Sequence, residues 1–138
     1  TEPRIEIIAV EESKITKLGA VEAAHRILQL YPNTTAFYGT SALDGIGIAQ
    51  VVKKQQAEND QYIISFDILP ETLEYIKEGT IEATVVQFPY QMGYEAVEKM
   101  IMLNRGEDIE PLQHTDTKVI YKEDLPISPD SMNGGIQP

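Results

Sequence analysis

The 138 residues include no cysteine, which excludes a disulfide framework and thiolate chemistry and leaves the redox compartment open. Basic residues are scarce. Eleven Lys and Arg stand against 22 Asp and Glu, and the resulting charge of −11 repels phosphate backbones and anionic headgroups at long range, so no nucleic acid is expected to bind through this segment. No apolar run approaches the ~20 residues that span a bilayer, and Thr1-Glu2-Pro3-Arg4 lacks the basic and apolar regions of a signal peptide. A chain starting without Met is expected to be mature, trimmed or excised.

Catalytic and cofactor signatures are also missing. There is no G-x-S-x-G elbow, no Gly-Lys-Ser/Thr element and no G-x-G-x-x-G fingerprint; Gly39, Gly45 and Gly47 are read as points of close helix approach. His25 and His114 have no partner at metal-ligand spacing, so no metal is expected. No cofactor and no enzymatic activity are expected.

What is present is a core-forming chain, 42% apolar, in which strand and helix patterns alternate. Residues 4–10 carry Ile5, Ile7, Ile8 and Val10 and predict a first strand. Leu18, Val21, Ala24, Ile27 and Leu28 recur at helical steps until Tyr31-Pro32-Asn33. Residues 35–39 predict a second strand, and Ser41 is a plausible N-cap for a helix through Ile46, Ile48, Val51 and Val52. Residues 62–66 form a third strand ending at Asp67, with a helix opened by Pro70 and closed by Gly79. Residues 82–87 make a fourth strand, 92–103 a fourth helix and 118–121 a last strand, before a Pro-, Ser- and Gly-rich coil tail from 126 to 138.

This alternation predicts an α/β fold: a parallel sheet with helices on both faces, of flavodoxin-like type. Ligands of such sheets bind beyond the carboxyl ends of the strands. There the sequence places Glu11, Glu12 and Ser13, then Thr40 and Ser41, then Asp67, then Gln87. Adjacent residues on a strand point oppositely, so at most one of Glu11 and Glu12 should face a cleft, and Glu12 is the candidate. Spacing alone favours Asp67 as a loop or cap residue before the helix at Pro70, a preference that the resemblance below reverses.

The stretch Ala83-Thr84-Val85-Val86-Gln87-Phe88-Pro89, followed by Gly93, Ala96 and Val97, resembles a segment of the ribose-type members of the type I periplasmic binding proteins. Ser65-Phe66-Asp67 is similar to their Gly-Phe-Asp strand end. Pro32, Ala36-Phe37-Tyr38 and Gly47, and the Thr115-Asp116-Thr117 run before Val119-Ile120, fit the same pattern in the same order. The resemblance implies the C-terminal portion of a two-lobed protein. Residues 1–88 would form the C-terminal lobe, and 89–125 a crossover helix and strand returning toward an N-terminal lobe that this chain does not contain. It also implies that Asp67 and Gln87 hydrogen-bond sugar hydroxyls, with Ser41 as a weaker contact; Thr40 and Glu12 are further ligand contacts expected from their strand-end positions. Where relatives often carry Asn-Asp, this chain has Ser41-Ala42; where pentose binders place an aromatic ring it has Ile15, which argues against ribose.

The implied function is capture of a small sugar or polyol between two lobes for ABC transport or sensing, outside the cytoplasm, by a protein whose full-length form carries a signal peptide. A membrane permease or sensor, and a companion fragment or N-terminal lobe, are the implied partners. The alternative on the same fold is the effector-binding core of a LacI-type transcription regulator, which would be cytoplasmic. A phosphoacceptor receiver domain fits less well, because the order of the strand ends does not match the arrangement it needs.

Overall fold

The structure, a computed structural model, describes residues 4–55 and 61–127. Its elements are α1 (Lys17–Leu30), β1 (Ala36–Tyr38), α2 (Ala42–Lys54), β2 (Tyr62–Phe66), α3 (Pro70–Glu78), β3 (Ala83–Gln87), α4 (Pro89–Asn104) and β4 (Thr117–Tyr121), with a 3₁₀ turn at Lys122–Asp124. The strands form one sheet in the order β1-β2-β3-β4. β1, β2 and β3 run parallel, joined by the crossover helices α2 and α3.

Local chemistry sets the helix ends. The Thr16 side chain accepts from Gly19 N at the start of α1, and Ser41 Oγ accepts from Asp44 N at the start of α2. Pro70 opens α3 where its missing N–H costs nothing, and Gly79 closes it in the left-handed region at φ 88°.

One sheet face is sealed. Phe37, Ile63, Ile76, Ile81, Val51 and Val52 are buried together between the strands, α2 and α3. α1 packs on α2 through small residues: Ala20, Ala23 and Ala24 are buried, and a Cβ on Gly47 would stand 2.5 Å from Ala20 Cβ. A Cβ on Gly45 would stand 2.1 Å from Ser65 Oγ, so the close approaches expected of these glycines are real. Lys17 Nζ and Gln50 Nε2 both reach Glu71, tying α1, α2 and α3 together at the surface. Tyr38, Tyr62, Val119 and Tyr121, which alternate with the buried positions, leave the other sheet face exposed.

Two expectations change. Residues 4–10 form no strand: Ile5, Ile7, Ile8 and Val10 are all exposed. A lone strand cannot satisfy its backbone, and no described strand lies beyond β1 to pair with it. The sheet is also not wholly parallel, since β4 pairs antiparallel to β3 with Thr117 opposite Gln87 and Tyr121 opposite Ala83.

α4 stands apart from this packing. None of its residues is buried, and Val97, Met100, Ile101 and Leu103 are all exposed. The last strand residues are followed by irregular chain at Pro126 and Ile127; the remainder of the expected coil tail, 128–138, lies outside the described residues.

Candidate ligand cleft

Parallel strands deliver their C-terminal ends to one edge, and there the chain forms a cleft of about 550 Å³. That is within the range of small-molecule sites, roughly 300–1,000 Å³. Its polar groups are Ser41, Asp67 and Gln87; Ile15, Leu43, Ile68, Val86, Pro89 and Met92 supply apolar wall. A depression of about 620 Å³ beside His25, Thr34 and Gln61 lies at the opposite ends of β1 and β2.

Asp67 is held by its backbone and leaves its carboxylate unused. Its N–H donates to Val85 O at 2.7 Å, and its carbonyl accepts from Thr84 Oγ1 at 2.8 Å. Both partners belong to β3, so the residue that follows β2 is fastened to the next strand. Its φ is 60°, in the left-handed region that Asp tolerates better than most residues. Among the described residues no hydrogen bond or ion pair engages its half-buried carboxylate. A carboxylate in that state offers about four acceptor sites.

Gln87 ends β3 one residue before Phe88 and two before Pro89, which opens α4. Its half-buried amide likewise has no protein partner among the described residues, leaving donors and an acceptor available. Ser41 spends one lone pair on the helix cap and keeps its O–H to donate.

The other two candidates lie elsewhere. Glu12 is exposed and does not line the cleft, and its neighbour Glu11 pairs with Arg26 at 2.8 Å. The Thr40 hydroxyl donates to Asp44 Oδ2 at 3.1 Å and is absent from the cleft walls. Sequence reasoning missed Asp44, a buried carboxylate in the first turn of α2 that also accepts from Ser13 Oγ at 2.5 Å. An acidic residue three positions after a Ser N-cap was the available signal.

The family model described as "Periplasmic binding protein domain" matches residues 1–108. The chain belongs to the periplasmic binding protein family. This binding-protein chain is 25% identical over 109 residues to the D-allose-binding periplasmic protein of Escherichia coli K12, covering 79% of this chain and 35% of that one. The crystal structure of GanP, a glucose-galactose binding protein from Geobacillus stearothermophilus, superposes with a TM-score of 0.87 at 54% identity, over 89% of this chain and 44% of GanP. The XylFII–LytSN complex gives a TM-score of 0.77 at 36% identity, over 87% and 42% of the two chains. The chain spans 35 to 40% of the length of the curated relatives it matches.

Proposed function

We propose that this chain supplies one wall of a sugar-binding cleft in an extracytoplasmic solute-binding protein. The carrying observation is that the carboxylate of Asp67 and the amide of Gln87, at neighbouring strand ends on one cleft, both have no hydrogen-bond or ion-pair partner among the described residues. A rigidly mounted acceptor beside a donor and acceptor pair suits the adjacent hydroxyls of a sugar, and Ser41 adds a donor. Glucose and galactose lead the candidates, because GanP, a glucose-galactose binding protein, shares 54% of the aligned sequence. Ile15 supplies an aliphatic wall against the sugar face.

The reading extends to organisation. Residues up to 88 make the C-terminal lobe, while α4 crosses to a second lobe that covers its apolar face and contributes the facing half of the cleft. Closure of the lobes on the sugar then presents the complex to a membrane permease or to a sensor. A protein partner for the complex is favoured by one observation, the 36% identity to a chain of the XylFII–LytSN complex. Nothing in the comparisons favours a transcription regulator.

Calorimetry on the full polypeptide that carries this segment tests the reading, with D-galactose, D-glucose, D-xylose and D-allose, before and after Asp67→Ala. Loss of affinity for the preferred sugar is expected; unchanged affinity overturns the assignment of the cleft.

A further inference from the structure

The turn between residues 13 and 16 carries two successive side-chain residues in the left-handed region, Lys14 and Ile15, both at φ 54°. For a β-branched residue such as Ile15 this conformation is an outlier, and it persists only where surrounding contacts determine it. The contacts that do so form a short relay. Ser13 Oγ donates its one proton to Asp44 Oδ1 at 2.5 Å and, with that proton committed, accepts from the Ile15 N–H at 3.1 Å. The carboxylate's second oxygen accepts from Thr40 Oγ1 at 3.1 Å, which fixes its rotation. Asp44 is buried within the first turn of α2, while Ile15 stands at the cleft wall beside Ser41 and Asp67.

We infer that Asp44 is a positioning residue for the cleft: through Ser13 it holds the strained turn so that Ile15 forms the wall against which a ligand packs. This rests on the cleft reading given above. Asp44 itself lies outside the cleft walls, so its effect on binding has to pass through the turn. The carboxylate suits the task better than an amide, because it accepts from both hydroxyls at once and cannot rotate a donor toward either.

The experiment uses the full polypeptide with Asp44→Asn, Ser13→Ala, Ile15→Ala and the double variants of Ile15→Ala with each. Ser13 lies outside the helices, so Ser13→Ala breaks the relay while α2 stays intact, covering the case in which Asp44→Asn fails to fold. Two readouts are taken: calorimetric affinity for the tightest-binding sugar of the panel, and amide hydrogen exchange of Ile15. Both Asp44→Asn and Ser13→Ala are expected to weaken binding about tenfold, and to have little further effect once Ile15 is Ala, the signature of coupled residues. Ile15 amide exchange should accelerate in both variants. Unchanged exchange overturns the relay. Accelerated exchange with unchanged affinity, in a protein whose binding is lost in Asp67→Ala, overturns the positioning role and leaves the cleft reading standing. If Asp67→Ala leaves affinity intact, the cleft reading itself fails, and the exchange data alone then decide whether the relay exists.

Discussion

The hydroxyl of Thr84 donates to the carbonyl of Asp67 at 2.8 Å, so a fully buried side chain near the start of β3 anchors the residue that follows β2. Thr84→Val preserves shape and removes that donor. It is expected to lower stability by about 0.5–1.5 kcal/mol, the net worth of a typical hydrogen bond, here to a part-buried carbonyl. Under the proposed function it should also weaken sugar binding by the full polypeptide, although Thr84 does not line the cleft. Denaturant titration and calorimetry on the same variant check both halves.

A second expectation concerns the contact between α2 and β2. A Cβ on Gly45 would meet Ser65 Oγ at 2.1 Å and Ser65 Cβ at 2.6 Å, leaving no room for a methyl group. Gly45→Ala should destabilise by about 1–3 kcal/mol through overpacking. Ser65→Ala leaves the Cβ in place and should rescue little, whereas Ser65→Gly should recover part of the loss. By itself Ser65→Ala should be nearly neutral, because the buried Ser65 Oγ has no hydrogen-bond partner to lose among the described residues. Urea midpoints for the four variants test the pattern.

Tyr75 predicts an alkaline limit to stability. Burial, followed by the negative charge of Glu71, raises its phenol above the ordinary value of 10.0. Lys53, 5.6 Å from the ring centre, opposes the shift without cancelling it. The folded state therefore favours the neutral phenol. The associated stability is fully present below the unfolded pKa and is lost as pH rises through the raised folded value. Unfolding midpoints should fall above about pH 10, and Tyr75→Phe should flatten that decline; an equally steep decline in the variant contradicts the assignment.

The exposed face of α4 predicts different behaviour in isolation and in context. Met100 is 68% and Val97 57% exposed, and each large apolar side chain left in water forgoes roughly 1.5–3 kcal/mol of burial. Alone, the 138-residue chain should self-associate, and Val97→Lys with Met100→Lys should shift it toward monomer in sedimentation velocity. If a second lobe covers this face in the full polypeptide, as proposed, the same pair should destabilise there.

Much of this was readable in the residues. The helical spacing of Ile46, Ile48, Val51 and Val52 and the punctuation by Pro70 and Gly79 fixed α2 and α3 closely, since such signals are local. Ser41, Asp67 and Gln87 followed from the rule that strand ends line the ligand edge, sharpened by resemblance. What failed depended on partners. The apolar pattern of residues 4–10 is the same whether or not a neighbouring strand exists, and here none is described. The Lys118-Val119-Ile120-Tyr121 pattern likewise says nothing about strand direction, which proved antiparallel. Asp44 was passed over because its role is to hold Ser13 and Thr40, a relation between segments 31 residues apart in the first case.

The same helix that lies bare also borders the cleft, since Pro89 and Met92 of α4 are among its walls. Covering α4 and completing the site would then be one event. Under the proposed reading, a sugar that binds only the completed site stabilises the association of this segment with whatever covers it. A sugar at a hundred times its Kd adds about 2.7 kcal/mol to that association. Divided at this boundary, such a protein would behave as a pair of halves whose rejoining reports the concentration of its own ligand.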